Sequence, residues 1–77
     1  MDEHFALAIL VREWERGGHM PVAEGRWTEL LSNRAMAINI CEAVTALVRC
    51  GDVTVRNGFG GYPFYTPVRD HTGRKLS

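Results

Sequence analysis

From Asp2 to Arg16 the apolar residues Phe5, Leu7, Ala8, Leu10, Val11 and Trp14 recur at helical rather than alternating spacing. Asp2 and Glu3 suit the positive end of a helix dipole, and Gly17-Gly18 stops the helix. After a His19-Met20 link, Pro21 fits the first position of a second helix, on which Val22, Ala23, Trp27, Leu30 and Leu31 share a face, weakened a little by Gly25. Ser32 and Asn33 carry the short oxygen-bearing side chains that cap a helix start, and Gly51 suits a helix end. Between them the pattern predicts a third helix over 34–50. Its inner side is Met36, Ala37, Ile40, Cys41, Val44, Leu47 and Val48; Arg34, Ala35, Ile38, Asn39, Glu42, Thr45 and Arg49 face outward.

Beyond Gly51 the period changes from helical to two. Val53 and Val55 alternate with Thr54 and Arg56, Asn57-Gly58-Phe59-Gly60-Gly61 turns the chain, and Tyr62, Phe64 and Thr66 alternate with Pro63 and Tyr65. This predicts a β-hairpin with Phe64 against the helices. Its returning strand is expected at a sheet edge or with its prolines toward solvent, because Pro63 and Pro67 cannot donate ladder hydrogen bonds. Residues 69–77 hold one apolar side chain, Leu76, and read as a flexible basic tail on a domain spanning 1–68. The expected fold class is α+β: three helices followed by a C-terminal β-hairpin wing.

Seventy-seven residues, 45% of them hydrophobic and 23% charged, fit one small folded domain and exclude a large-cleft enzyme. A core of this size supplies about 3–5 kcal/mol unaided, so packing on a second copy or a partner is in keeping with it. Nine basic and nine acidic residues cancel, but unevenly: six acids against three arginines give −3 up to Asn33, and the reverse gives +3 from Arg34 onward. An anion-facing surface is therefore expected in the second half. Cys41 and Cys50, nine apart on one helix, point to nearly opposite sides and cannot bridge, which with the lack of a signal peptide suits a reducing cytoplasm. The apolar run from Phe5 to Val11 is too short to cross a membrane.

Three helices and a glycine-tipped hairpin, joined by Leu47-Val48-Arg49-Cys50-Gly51-Asp52-Val53, resemble the winged helix-turn-helix family over about residues 4–68. In that family a Leu-x-x-x-Gly-hydrophobic ending closes the recognition helix; here Asp52 intervenes before the hydrophobic residue. The resemblance implies a small transcriptional regulator of double-stranded DNA, with the third helix entering the major groove by its N-terminal half and Asn33, Arg34, Ala35, Ile38 and Asn39 near the bases. Arg34 would then pair with guanine or hold a phosphate, Asn39 would read adenine and Ile38 would touch a thymine methyl. Arg49, Arg56 and the tip residue Phe59 would meet the flanking backbone or groove, and Arg69, Arg74 and Lys75 would trail along phosphates. Glu42 on the same face repels phosphates unless it accepts a cytosine amino hydrogen.

The same fold also serves protein binding or dimerisation. Zero net charge, Glu42 and the outward Ile38 favour a protein-binding module, which would suit a phage or mobile-element inhibitor of a host complex. The apolar breadth of the first helix makes residues 2–16 the expected homodimer contact. No catalysis or cofactor is expected. His4, His19 and His71 have no ligand partner at helical spacing, the glycines match no phosphate-binding loop, and Glu13 and Glu15 do not face each other on a helix. Cys41 lies on the apolar side, and Cys50 sits at a helix end that disfavours thiolate. Trp14 and Trp27 are expected to anchor the first two helices.

Overall fold

A computed structural model describes residues 2–76 of the chain, the side chain of Phe59 excepted. The described elements run α1 (Asp2–Glu15), β1 (Met20–Pro21), α2 (Glu24–Leu31), α3 (Arg34–Cys50), β2 (Val53–Asn57) and β3 (Pro63–Pro67). One 3-10 turn, Phe59–Gly61, joins the last two strands, with Gly60 at φ 76°. The fold is α+β, three helices followed by an antiparallel hairpin, and is consistent with a small winged helix.

Both ends of α3 follow from local chemistry. The Met36 N–H donates to Asn33 Oδ1 at 3.0 Å, filling one of the amide vacancies at the helix start. At the other end Gly51 takes the left-handed conformation, φ 84°, and the Asp52 N–H reaches back to Leu47 O at 3.0 Å, which turns the chain directly into β2. Ala37, Ile40, Ala43, Val44 and Leu47 line its buried side and pack against Ala6, Leu7, Ile9, Leu10 and Val11 of α1. Trp27, Leu10, Met20, Val44 and Val53 are the largest fully enclosed side chains, each contributing about 1.5–3 kcal/mol relative to exposure.

Several sequence expectations need correction. Met20 and Pro21 form a strand rather than a link and a helix start; Met20 pairs with Tyr65 and Pro21 with Phe64, and the Val22 N–H extends the ladder to Pro63 O at 3.1 Å. Helix α2 therefore begins at Glu24, and Val22 and Ala23 are exposed rather than on its inner face. That added strand makes β3 the central strand, in the order β1-β3-β2. Its prolines are tolerated because they occupy its two ends, beyond the two residues that β1 pairs.

The core-facing residues of β3 are Tyr65 and Pro67, not Phe64, which lies half-buried on the other face against His19, ring centroids 4.4 Å apart. The third-helix face is also narrower than expected: Met36 is exposed. Finally, residues 69–76 do not run out as a tail. Arg69 bridges to Lys75, Asp70 closes a turn with Thr72 and Arg74, and the Leu76 N–H donates to Val68 O at 2.9 Å while the Leu76 side chain packs on the core.

Candidate nucleic-acid interface

Because α3 spends one side on the core, its opposite side is left outside. Ile38, Glu42, Thr45 and Arg49 follow one another at steps of four, three and four along that side, with Arg34 and Ala35 at its N-terminal end, and all six are exposed. Ile38 is 40% exposed, a β-branched apolar residue presented to the outside by a helix whose other apolar positions are largely spent inward. A two-residue connection, Ser32 and Asn33, joins α2 to α3, so α2 packs directly beside this helix.

The expected site residues are only partly brought together. Asn33 is used as the N-cap of α3, its Oδ1 occupied by the Met36 amide. Arg34, the first residue of the helix, has its side chain 80% exposed, with Nε 3.7 Å from Glu24 Oε1 on α2. Ala35 and Ile38 lie on the free side as expected. Asn39 lies toward α1 instead, lining with Asp2, Glu3, Glu42 and Ala43 a shallow cleft of about 200 Å³. Carboxylates thus border the α3 surface on both flanks, Glu24 on one and Asp2 and Glu3 on the other, and Glu42 stands on the surface itself.

Arg49 is exposed in the last turn of α3, where its cation suits the negative end of the helix dipole. Arg56 stands opposite Phe64 in the hairpin register, so it projects from the sheet face away from the helices. Val55 stands opposite Tyr65 on the helix-facing side, yet beyond the core's edge, at 47% exposure. Tyr62, beside the tip, is 76% exposed. The Phe59 side chain, expected as a tip contact, lies outside the described residues.

Charge near the middle of α3 is legible in two acidities. Burial, then the negative charge of Glu24, raises the Cys41 thiol above its ordinary value; burial, then Cys41, raises the Tyr65 phenol. Glu24 therefore acts on the flank of α3 from Arg34 as far as Cys41. Both cysteines are free, Cys41 half-buried and Cys50 exposed.

A second hollow, about 260 Å³, separates the start of α1 from the C-terminal turn. Leu7 and Leu47 line it together with His4 and His71, whose rings meet edge to face at 5.1 Å, and Arg69 pairs with Asp52 at 3.7 Å on its rim. Sequence spacing carried no hint of this histidine pair, because the fold of residues 69–76 creates it. Glu24 was likewise missed, its only signal being an acid at the start of a helix that a tight turn lays beside the next one. Among the described residues no group of three or more His, Cys, Asp or Glu is placed to hold a metal ion, and no helix is long and apolar enough to cross a membrane.

The apolar surplus of α1, from which a homodimer through residues 2–16 is expected, is mostly consumed by the chain's own core. Among its large apolar residues Phe5 alone is exposed to a substantial degree. No protein-family model, no curated protein and no solved structure matches this chain.

Proposed function

We propose that the chain is a small duplex-DNA-binding protein of the winged helix-turn-helix kind, a transcriptional regulator in which Arg34, Ala35 and Ile38 enter the major groove. Arg49 and Arg56 hold phosphates to either side, one from the end of α3 and one from the hairpin. The observation that carries this reading is the outer side of α3: Ala37, Ile40, Ala43, Val44 and Leu47 are buried in the core on its inner side, whereas Arg34, Ala35, Ile38, Glu42, Thr45 and Arg49 on its outer side are all exposed. Asn33 serves by fixing the helix start, and Asn39, set among carboxylates, contributes little to base contact.

Titration of a randomised duplex pool at several salt concentrations tests this. Two arginine–phosphate contacts, those of Arg49 and Arg56, give a slope of log affinity against log salt of about −2. Absence of binding at low salt would overturn the proposal. A second reading, a protein-binding module, is favoured by the carboxylates flanking Ile38, which suit a basic partner surface with an apolar centre. Failure to bind duplex, together with an unchanged fold after Ile38→Glu, would turn the assignment toward it.

A further inference from the structure

We propose that Glu24 is the positioning residue for Arg34, and that the pair selects a guanine in the bound duplex. This rests on the DNA-binding reading above. The nearest approach of the two side chains is through Arg34 Nε, 3.7 Å from Glu24 Oε1. A guanidinium held at Nε keeps its two terminal nitrogens free, and that fork matches the O6 and N7 acceptors on the major-groove edge of guanine.

Glu24 also aims the fork. It stands at the start of α2, which the two-residue connection lays beside α3, so the contact ties the Arg34 side chain to the α2–α3 seam at the N-terminal end of the outer side. In water the contact is weak, because Arg34 is 80% and Glu24 48% exposed. Once a duplex covers it and excludes water, the same contact strengthens, while the carboxylate repels phosphates of any sequence. One residue therefore has two effects of opposite sign: it weakens binding to every duplex and favours those that place guanine at the fork.

The test uses the full chain and a pool of duplexes with a randomised centre, from which the wild type enriches its preferred sequence. The enriched site is expected to contain a guanine whose replacement by 7-deazaguanine, which lacks N7, weakens wild-type binding by roughly tenfold. Glu24→Gln should bind unselected duplex about threefold more tightly, yet lose most of its sensitivity to the 7-deaza change, as should Arg34→Ala. Glu24→Asp, with the carboxylate withdrawn by one methylene, should fall between them, and serves as the second variant if Glu24→Gln lowers the melting temperature.

A merely structural role for Glu24 predicts equal weakening on both duplexes. That result would overturn the inference while leaving the DNA reading intact, as would an enriched site indifferent to the 7-deaza change or binding with no enrichment. No duplex binding by the wild type at low salt would remove the proposed function and this inference together.

Discussion

Gly58 lies directly beneath the ring of Phe64: a methyl group at its α-carbon would stand 2.5 Å from Phe64 Cε1 and 2.7 Å from Cδ1. The backbone at Gly58 is extended, φ −93°, so contact rather than conformation demands glycine here. Phe64 cannot withdraw freely, because its ring rests on His19 with centroids 4.4 Å apart. Gly58→Ala should therefore destabilise the domain by about 1–2 kcal/mol. For a chain of this size each kcal/mol lowers the melting temperature by about 4–8 °C. Phe64→Leu relieves the clash, so the double variant should lose less than the sum of the single changes. Additive losses in thermal melts would contradict the contact.

Trp27 presents the opposite situation, a side chain that fits by volume but not by polarity. It is fully enclosed, and its Nε1 has no hydrogen-bond partner among the described residues. An unmet buried donor costs about 1–3 kcal/mol, which offsets part of what the ring contributes by burial. Trp27→Phe removes the donor with a modest loss of volume and should stay within about 1 kcal/mol of the wild type. Trp27→Ala should cost about 3–5 kcal/mol, close to all the stability of a domain this small. Urea unfolding of the two variants decides this; a phenylalanine variant as damaged as the alanine one would contradict the account.

The contrast between α3 and the sheet shows what a sequence of this kind reveals. Helix α3 was legible end to end because its cap Asn33, its stop Gly51 and its apolar side are all local signals. Strand β1 was not: two residues, Met20 and Pro21, become a strand only by pairing with Tyr65 and Phe64, far along the chain. The facing of β3 was inverted for a related reason. Aromatic residues stand at both 64 and 65, and the choice between them is made by the pairing of Val53 with Pro67, which sends Val53, Pro67 and Tyr65 to the core. The C-terminal turn was missed because polar composition outweighed the turn chemistry of Asp70, Thr72 and Gly73. At the interface, Arg34 and Ile38 were readable from the helical wheel, whereas Glu24 entered only through the packing of α2 on α3.

That C-terminal turn should respond to acid. Asp70 Oδ1 accepts the Thr72 hydroxyl at 2.6 Å and the amides of Thr72 and Arg74 at 2.9 Å each. These bonds, the Thr72 hydroxyl foremost, hold the Asp70 carboxyl below its ordinary value. A depressed folded value means that the turn's stabilisation is complete above the unfolded carboxyl value, near pH 4, and is lost as pH falls through the lower folded value. In an NMR titration the Thr72 amide should therefore move at lower pH than in a peptide of residues 69–76. Asp70→Asn should abolish the transition, and a midpoint equal to the peptide's would refute the bonded carboxylate.

Asn33 separates folding from binding within one side chain. Its Oδ1 accepts the Met36 amide at 3.0 Å, so Asn33→Ala should cost about 1 kcal/mol through loss of the cap. Asn33→Asp keeps the acceptor and adds a negative charge at the positive end of α3, a gain of about 0.3–1 kcal/mol at neutral pH. The same charge stands next to Arg34 and would oppose phosphates brought to the α3 edge, so duplex affinity should fall while the melting temperature rises. Melting curves and duplex titrations on the two variants read the two effects independently. If Asn33→Asp raised stability without weakening duplex binding, the DNA-facing edge would have to begin further along the helix, at Ile38 rather than at the cap.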